Sequence, residues 1–323
     1  MPTAIRIERT GGPEVLTPAD VEVPSPGPGE VLIDVAAAGV NYIDTYQRAG
    51  VYSMNLPYTP GLEGAGTIAE VGAGVTDLAP GDTVAWQGYP GGYAQRAVVP
   101  ADIAVPVPDG VPAETAAAVM LQGITAHYLV NSTYPVSEGE TILVHAAAGG
   151  VGLLLTQLAK AKGARVLGTV STAEKETLAR RAGADEVIRY TDRDFSEVVD
   201  ELTGGEGVPV VYDGVGASTY DASLRCLRRR GMLVLFGASS GPVPPIDPQV
   251  LNSGGSLYLT RPTAADYVAT RDELTRRTGD LFSAVAAGTL DVRVGARYPL
   301  ADARTAHEDL EGRRTTGKVL LVP

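Results

Sequence analysis

The stretch that decides the fold is "TILVHAAAGGVGLLLTQLAKAKGARVLGTVSTAEK", residues 141–175. It opens with an uncharged run typical of a buried strand, passes through Gly149, Gly150 and Gly152, and continues with helical spacing. Glycines between a strand and a helix are typical of a dinucleotide-binding turn, because the helix N-terminus offers free N–H groups and a partial positive charge to a pyrophosphate. The stretch therefore predicts the first β–turn–α unit of a Rossmann-type domain.

Ala147 stands where such a turn usually has its first glycine. An alanine there predicts a tight turn that needs no positive φ at that residue. Gly149 would let the backbone approach the pyrophosphate, and Gly152 would let the helix pack closely on the strand. The alternative interpretation is a glycine turn that merely connects two elements.

The second strand, "VLGTVST" (166–172), lacks an acid at its end. In an NAD site, Asp or Glu there accepts a hydrogen bond from the ribose 2′-hydroxyl, and the same carboxylate would repel a 2′-phosphate. This chain offers Ser171, Thr172 and, one turn later, Lys175. A charge-assisted hydrogen bond to phosphate contributes about 1.5–3 kcal/mol, so the pattern predicts NADPH; Lys175 as a plain solvated helix residue is the alternative.

Strand-like and helix-like segments alternate from Pro112 onward, and the strand candidates between residues 141 and 262 number six. Such alternation predicts an α/β fold with a doubly wound, parallel six-stranded sheet and right-handed crossovers. The stretches 219–231 and 263–288 each have a helical pattern. Arg228–Arg230, at the end of the first, are expected to complement the helix C-terminus.

Residues 1 to about 115 are rich in glycine, proline and valine and contain short strand-like runs separated by turn signals. They predict a twisted, partly barrel-like β domain, interrupted by a short helix in "VNYIDTYQRAGVY" (40–52). The closing strand "GKVLLVP" (317–323) is expected to rejoin that domain. We therefore predict domains at 1–118 with 264–323 and at 119–263, with the ligand held between them.

The composition narrows the class of protein. The net charge of −12 argues against binding to nucleic acid or to an anionic membrane, which requires clustered Lys and Arg. Cys226 is the one cysteine, which excludes an internal disulfide and favours the reducing cytoplasm. The N-terminus "MPTAIRIERTGG" has no apolar segment of a secretory signal.

The succession of β lobe, nucleotide lobe and returning tail resembles the medium-chain dehydrogenase/reductase superfamily. Its zinc alcohol dehydrogenases carry catalytic metal ligands in "GVC-x-x-D" and "GHE-x-x-G" segments. This chain reads "GVNYIDTY" (39–46) and "GLEGAG" (61–66), so Asn41 replaces the cysteine and Leu62 the histidine. Because zinc prefers thiolate or imidazole ligands, no metal is predicted; the scattered histidines are read as structural or surface residues.

The chain resembles more closely the zinc-free, zeta-crystallin-like quinone oxidoreductases of that superfamily. The resemblance covers essentially the whole chain and is carried by "GGPEVL" (11–16), "GVNYIDTYQRAGVY" (39–52), "HAAAGGVGL" (145–153), "GTVSTAEK" (168–175), "VVYDGVG" (210–216), "GSLYLTRP" (255–262) and "TRDELT" (270–275). It implies a GroES-like catalytic domain, reduction of quinones by NADPH without a metal, and a homodimer formed through the edge of the "GSLYLT" strand.

The resemblance also implies roles for individual residues. The catalytic candidates are Asn41, Tyr46, Tyr52 and Gln122. The candidates for binding the cofactor are Tyr42, Asp44, Thr125, Gly149, Gly150, Val151, Gly152, Ser171, Thr172, Lys175, Tyr190, Gly237, Ala238, Ser239, Ser240, Thr260 and Arg313. Where some relatives have a lysine, this chain has Gln122, which can donate to a quinone oxygen but brings no charge.

Two other functions stay open from the sequence. The first is an NADPH-dependent reductase of α,β-unsaturated carbonyls or enoyl thioesters, with Tyr46 or Tyr52 supplying a proton. The second is an NADPH-binding structural or regulatory protein, such as a crystallin or a protein that contacts RNA. The net charge of −12 weighs against RNA.

Overall fold

The computed structural model of the protein describes residues 1–23 and 25–323. The chain divides into two compact units: unit 1 comprises 1–124 and 267–323, and unit 2 comprises 125–266. The predicted boundaries, at 118/119 and 263/264, lie slightly earlier in the chain. The first boundary falls inside one uninterrupted helix, Ala113–Tyr128, so a change in composition ahead of that helix could not locate it.

The helices and strands of the described residues follow in chain order. The strands are β1 (Thr3–Arg6), β2 (Thr17–Asp20), β3 (Glu30–Val40), β4 (Glu63–Val71), β5 (Thr83–Gln87), β6 (Arg96–Pro100), β7 (Val105–Pro106), β8 (Thr141–Val144), β9 (Arg165–Val170), β10 (Glu186–Arg189), β11 (Val208–Asp213), β12 (Leu227–Leu235), β13 (Tyr258–Thr260), β14 (Val294–Pro299) and β15 (Lys318–Val322). The helices are α1 (Tyr42–Arg48), α2 (Ala113–Tyr128), α3 (Gly150–Ala161), α4 (Ala173–Arg181), α5 (Phe195–Thr203), α6 (Tyr220–Arg225), α7 (Gln249–Ser253), α8 (Ala264–Tyr267), α9 (Arg271–Ala286) and α10 (Ala303–Glu311).

Unit 2 is built on a six-stranded sheet with the order β10-β9-β8-β11-β12-β13, and every neighbouring pair is parallel. Numbered within the unit, that order is 3-2-1-4-5-6, the order of a dinucleotide-binding sheet. The strands of the sheet centre, such as Val208–Asp213, are buried throughout, as a parallel sheet covered by helices on both faces requires. The predicted α/β fold and its six-stranded parallel sheet are confirmed.

Arg228–Arg230 lie in strand β12 and not at the end of a helix, so this prediction was wrong. Helix α6 stops at Arg225, and Leu227 already pairs with Val208 of β11. The pairing then shifts register before Met232, and the intervening Arg230 has a left-handed φ of 60°. The arginine run therefore forms a bulge within β12. This bulge depends on pairing with the neighbouring strand, and no local pattern in the sequence predicts it.

Unit 1 contains a mainly antiparallel sheet with the order β14-β15-β3-β4-β5-β7, and β6 also pairs with β3. The long strand β3 lies between β4 and β15, with Ala38 opposite Gly64 and Leu320 opposite Gly39. The end of the chain thus joins the β sheet of the N-terminal segment. Apolar side chains fill its interior, among them Trp86, Ile33 and Ile68.

Two helix starts have reciprocal side-chain caps. At α1, Asn41 and Asp44 form a capping box, which explains why a β-rich segment turns helical at residue 42. At α9, Thr270 and Glu273 form another. That second cap divides the stretch predicted as one long helix into α8 and α9, so the uninterrupted helix expected over 263–288 was wrong.

A helix that crosses a lipid bilayer needs about 20 consecutive, mostly apolar residues. Within residues 1–23 and 25–323, no helix is both long enough and apolar enough to do so.

Candidate functional site

The turn between β8 and α3 forms the first part of a candidate cofactor site in unit 2. Its left-handed residue is Ala146, with φ of 50°, and not Ala147. The Gly149 N–H donates to the Ala146 carbonyl oxygen at 2.8 Å, and the Ala147 N–H donates to the Thr169 carbonyl oxygen at 3.1 Å. The expectation that Ala147 needs no positive φ is confirmed, and the left-handed conformation, costing about 1–2 kcal/mol for a residue with a Cβ, lies one residue earlier.

Helix α3 begins directly on this turn. A Cβ on Gly152 would overlap the Ala146 carbonyl oxygen and lie 2.8 Å from Ala147 Cα, so the predicted close packing at Gly152 is confirmed. Gly149 is the N-cap, and no side chain in the described part of the chain caps the helix. The N–H groups at positions 150–152 (Gly150, Val151, Gly152) have no carbonyl partner within the helix. This cradle of backbone donors fits the pyrophosphate of a dinucleotide.

The carboxyl ends of β9 and β10 gather the residues predicted for the adenosine end of the cofactor. The Tyr190 N–H donates to the carbonyl oxygen of Val170, directly before Ser171, at 3.1 Å. Thr172 caps α4, since its hydroxyl oxygen accepts the Lys175 N–H at 3.2 Å. Ser171, Thr172, Lys175 and Tyr190 therefore lie along one edge, and β9 runs into hydroxyl residues where an NAD site has a carboxylate.

The segment Gly237–Ser240 follows β12 and is fixed by bonds within unit 2. The Arg261 Nη1 donates to the Gly237 carbonyl oxygen at 2.9 Å. The Ser240 hydroxyl donates to the Val215 carbonyl oxygen at 2.8 Å. A Cβ on Gly237 would lie 2.5 Å from the Gly214 carbonyl oxygen, so a glycine is required there. The sequence singled out the loop but missed Arg261, which anchors it.

The remaining residues predicted for unit 2 take simple positions. Ala238 and Ser239 lie within the same loop, Thr260 ends the edge strand β13, and Thr125 is buried on α2. Their part in cofactor binding stays a prediction.

A buried carboxylate, Asp213, lies at the end of β11 below these loops. It accepts hydrogen bonds from the N–H groups of Val215 and Gly216 at 2.7 and 3.0 Å. It also accepts from the hydroxyls of Thr219 and Ser223 at 2.7 and 3.1 Å. Neutral donors thus solvate the charge completely, and the loop after β11 is wrapped around it.

His145 extends this arrangement to the turn. Its Nε2 lies 2.9 Å from Ser223 Oγ, and its Nδ1 lies 2.8 Å from Thr169 Oγ1. Because the Ser223 hydroxyl already donates to Asp213, His145 must carry its proton on Nε2 and accept at Nδ1. Burial lowers the pKa of His145, which keeps the ring neutral. We call Asp213, Ser223, His145 and Thr169 the polar cluster of unit 2; sequence reasoning read His145 only as structural.

Unit 1 brings Asn41 and Gln122 together around a buried ion pair. The Asn41 Oδ1 accepts hydrogen bonds from Gln122 Nε2 at 3.1 Å and from Lys318 Nζ at 3.0 Å. The Asn41 Nδ2 donates to Glu63 Oε1 at 2.6 Å. Lys318 forms an ion pair with that same oxygen. We call Asn41, Glu63, Gln122 and Lys318 the polar cluster of unit 1.

This cluster is closed to solvent on its charged side. Glu63 is 0% exposed, Lys318 1% and Asn41 5%. The second carboxylate oxygen of Glu63 accepts the Leu121 N–H at 2.6 Å. Asn41 thus uses its amide on protein partners, and Glu63 and Lys318 were missed by sequence reasoning because they lie far apart in the chain.

A second buried network in unit 1 starts at Asp44. Its Oδ2 accepts from the Asn41 N–H at 2.8 Å and from the Tyr93 hydroxyl at 3.0 Å. The Tyr93 oxygen lies 3.0 Å from His307 Nε2, and Arg48 Nη1 donates to His307 Nδ1 at 3.0 Å. Since arginine can only donate, His307 accepts at Nδ1 and donates from Nε2 to the Tyr93 oxygen, and the Tyr93 hydroxyl donates to Asp44. Asp44 is fully buried, and its side chain caps α1; its predicted part in cofactor binding stays a prediction.

The pKa values of Asp44 and His307 in this network are shifted in opposite directions. Burial raises the pKa of Asp44 to about 7. Burial, reinforced by the Arg48 charge, lowers the pKa of His307 to about 3. The network therefore holds a neutral imidazole beside a carboxyl group that is easily protonated.

The tyrosines of α1 and the following loop form an aromatic row. The Tyr42 and Tyr46 ring centroids are 6.3 Å apart, and those of Tyr46 and Tyr52 are 6.0 Å apart with an edge-on orientation. Tyr52 is 45% exposed. The Tyr42 hydroxyl donates to the Leu310 carbonyl oxygen at 3.0 Å, and burial raises the Tyr42 pKa. Arg313, exposed and left-handed with φ of 57°, follows α10 nearby in the chain.

The residues at the zinc positions do not fit zinc. An amide at 41 and a leucine at 62 offer neither thiolate nor imidazole. Within residues 1–23 and 25–323, no group of three or more His, Cys, Asp or Glu side chains is arranged to hold a metal ion.

Comparison with known proteins places the chain in a family. Residues 27–109 match the family model described as "Alcohol dehydrogenase GroES-like domain", and residues 150–269 match the one described as "Zinc-binding dehydrogenase". The quinone oxidoreductase of Salmonella typhimurium is 46% identical over 100% of both chains. A 2-haloacrylate reductase of a Burkholderia species is 42% identical over 100% of this chain and 99% of its own.

A solved structure of a relative has the same fold. The crystal structure of Escherichia coli quinone oxidoreductase complexed with NADPH superposes with a TM-score of 0.98, at 45% identity over 99% of this chain and 100% of that one. The predicted mainly β, GroES-like domain and the predicted family are confirmed. The chain belongs to the quinone oxidoreductase family of the medium-chain dehydrogenases/reductases.

Proposed function

We propose that this protein is an NADPH-dependent quinone reductase that works without a catalytic metal. The observation that carries the proposal is the full-length likeness to a quinone oxidoreductase solved with NADPH, joined to a turn and strand end that suit a phosphorylated dinucleotide. In this proposal unit 2 binds the cofactor, and unit 1 binds the acceptor.

The cofactor-binding residues divide the work by chemistry. The N–H groups of Gly150, Val151 and Gly152 take the pyrophosphate at the N-terminus of α3. Ser171 and Lys175 take the 2′-phosphate, supported by the missing carboxylate after β9. The loop Gly237–Ser240, pinned by Arg261, supports the nicotinamide end.

When bound, the reduced nicotinamide supplies a hydride, which is two electrons and one proton. A quinone that takes up this hydride and one further proton from solvent becomes a hydroquinone, and the nicotinamide leaves oxidised, so atoms and electrons balance. The protein contributes orientation and neutral hydrogen bonding. A quinone suits such a site, because its reduced oxygens are stabilised anions and need less help than an alkoxide.

On the acceptor side, the aromatic row Tyr42, Tyr46 and Tyr52 offers flat surface and hydroxyl donors to a conjugated ring. Tyr46 and Tyr52 are the residues we propose to touch the acceptor. Asn41 does not touch the acceptor in this proposal, because its amide is hydrogen-bonded to Glu63, Gln122 and Lys318. It acts by fixing the positions of those neighbours. Replacing Asn41 by Ala should slow turnover with little change in NADPH affinity, and equal rates would remove Asn41 from the mechanism.

The test is a fluorescence titration with NADPH and NADH, followed by steady-state assays with a naphthoquinone. Tighter binding of NADPH and quinone-dependent oxidation support the proposal; tighter binding of NADH would overturn it. Lys175→Glu should abolish the preference of about one to two decades that a charge-assisted bond to phosphate provides. Arg181→Glu, the same charge change at the other end of α4, is the matched control and should keep the preference.

Reduction of a conjugated carbon–carbon double bond is a second candidate, favoured by the 2-haloacrylate reductase among the relatives. It uses the same hydride but needs a proton donor at the adjacent carbon, for which Tyr46 or Tyr52 would serve. Parallel assays with a naphthoquinone, a 2-alkenal and a 2-haloacrylate separate the two functions by their kcat/KM.

We further propose a cytoplasmic homodimer. The single, buried Cys226 suits a reducing compartment. Strand β13 ends the sheet of unit 2 with Tyr258 exposed, and an apolar edge strand is an aggregation liability unless it is paired. Sedimentation should give the mass of two chains, and Tyr258→Lys should shift the protein towards one.

A further inference from the structure

The place where the zinc-dependent members of the superfamily carry a metal is here furnished with a different cation. Asn41 and Leu62 stand at the two ligand positions. Lys318 Nζ contacts the Asn41 side chain at 3.0 Å and forms an ion pair with Glu63, the residue after Leu62. A positive charge therefore lies against both segments that would otherwise surround zinc.

The sheet of unit 1 builds this site with precision. Strand β3 pairs with β15 on one side and with β4 on the other, with Leu320 opposite Gly39 and Ala38 opposite Gly64. These registers bring the starts of β15 and β4 beside the end of β3. A Cβ on Gly39 would lie 2.5 Å from Lys318 Nζ and would overlap the Glu63 carboxylate. The backbone thus reserves the space above Gly39 for the ion pair.

The bonds around Asn41 leave its amide no freedom. Two donors, Lys318 and Gln122, converge on its oxygen, while its nitrogen donates to Glu63. Lys318 carries no acceptor, so it fixes which end of the Asn41 amide is the oxygen. That oxygen in turn fixes Gln122, whose Nε2 must face it.

Gln122 is left with one unsatisfied atom. Its Oε1 is buried and has no hydrogen-bond partner among the described residues. A buried polar atom without a partner is uncommon in proteins and calls for an explanation. The orientation imposed through Asn41 therefore presents an acceptor, whereas the sequence suggested that Gln122 would act as a donor.

We propose that the Lys318 ammonium is the resident cation of this site, and that its pair with Glu63 is a positioning device that acts through Asn41 to hold Gln122 Oε1 where it can accept a hydrogen bond from the hydroxyl of the reduced quinone. Lys318 and Glu63 are positioning residues; they touch neither cofactor nor acceptor. The inference rests on the proposed quinone reductase function for its kinetic readout. Its cation requirement can be measured without turnover.

The test replaces the tethered cation by a free one. In Lys318→Ala, kcat for a naphthoquinone should fall at least tenfold, with the NADPH dissociation constant unchanged. Ammonium chloride should then restore most of the loss and raise the Tm, because the small ion fills the cavity beside Glu63. Tetramethylammonium chloride at equal ionic strength is too large to enter and should do neither. Lys160→Ala, which removes a partly exposed ion pair with Asp185, is the matched control and should show no ammonium response.

A second variant covers failure of Lys318→Ala to fold. Glu63→Gln combined with Lys318→Met removes both charges together and should fold, bind NADPH normally, lose kcat, and show no rescue by ammonium. Wild-type kcat in this double variant would overturn the proposal, because the pair would then be only structural. A folded Lys318→Ala without any ammonium effect on Tm would overturn it as well.

Failure of the proposed function has a different signature. Wild-type protein that binds NADPH but reduces no quinone would refute the function, while the ammonium-dependent Tm of Lys318→Ala still decides the cation site.

Discussion

The two units neutralise their buried carboxylates in different ways. In unit 1, Glu63 faces a full opposite charge on Lys318. In unit 2, Asp213 faces two backbone N–H groups and two hydroxyls, and no cation of residues 1–23 and 25–323 pairs with it. Removing the countercharge leaves an unneutralised carboxylate in the interior, which is strongly destabilising. Removing one of several neutral donors leaves the other hydrogen bonds to the carboxylate in place and costs less. The units should therefore differ sharply in their tolerance of single substitutions.

The difference also bears on function. In the proposed mechanism, the polar cluster of unit 1 orients side chains that serve the acceptor, and rigid charge pairing favours a single arrangement. The polar cluster of unit 2 holds the backbone of the turn and the loop that are proposed to receive the cofactor, a task for which distributed neutral bonds suffice. His145 and Asp213 tie β8, β9 and β11 together at their carboxyl ends, where a dinucleotide-binding sheet receives its ligand.

The largest effect should come from breaking the charged pair. Lys318→Met leaves Glu63 buried and unpaired, which typically costs about 3–5 kcal/mol. Urea unfolding should register this loss, and adding Glu63→Gln should recover most of it, because two neutral side chains then replace two charges. A double variant as unstable as the single one would mean that packing, not charge, dominates this cluster.

Asp213→Asn in unit 2 should cost less. The amide keeps an oxygen acceptor but places its NH2 group against donors, so we expect a loss of about 1.5–3 kcal/mol, the range for hydrogen bonds to a charged group. Cofactor affinity should fall too, since the loops after β8 and β11 share this support. The same unfolding assay, with NADPH titration beside it, checks both; a loss equal to that of Lys318→Met would erase the contrast between the units.

Acid titration should reveal two opposed contributions of buried groups to the stability of unit 1. His307 has a folded pKa of about 3, below its usual 6.5, so the unfolded chain binds the extra proton and stability falls as the pH drops from about 6.5 towards 3. Asp44 has a folded pKa of about 7, above its usual 3.8, so its contribution is complete below 3.8 and is lost as the pH rises through 7. Between about pH 4 and 6.5 the two contributions oppose each other.

Single variants should reveal the two opposed dependences of the free energy of unfolding on pH. Relative to wild type, His307→Gln should make the free energy of unfolding fall with rising pH, and Asp44→Asn should make it fall with dropping pH, each by up to about 1.4 kcal/mol per pH unit. In unit 2 the pKa of His145 is lowered by burial, so His145→Gln should lessen the acid loss. Unfolding free energies measured from pH 4 to 7 test all three, and slopes of the same sign in His307→Gln and Asp44→Asn would contradict the assignment.

The smallest effect is expected from metal removal. Dialysis against a chelator should leave kcat and Tm unchanged, since an amide and a leucine occupy the two zinc positions and Lys318 supplies the positive charge. Metal analysis of the purified protein provides the control. Lost activity that returns with zinc would put the metal in the place assigned to the ammonium.

Sequence reasoning succeeded where the signal was local. The run from β8 through the glycines into α3, and the missing acid after β9, each lie within about thirty residues (141–172), and the expected parallel sheet is present. It failed where a neighbour decides the conformation. Arg228–Arg230 look helical by composition, but pairing with β11 and a bulge draw them into β12. The break before α9 depended on the Thr270–Glu273 cap, which was passed over inside a continuous helical pattern.

The amino-acid sequence by itself determined the type of each domain and the chemistry at the strand end that favours a 2′-phosphate. The spacing of apolar residues, the placement of glycines and the absence of an acid are all properties of residues that are close together in the chain. Only the tertiary structure decided the partners of Asn41. Glu63 and Lys318 are 255 residues apart, and nothing near either position announces the other. They meet because β4 and β15 flank β3 in a fixed register, and each of the two buried charges then neutralises the other.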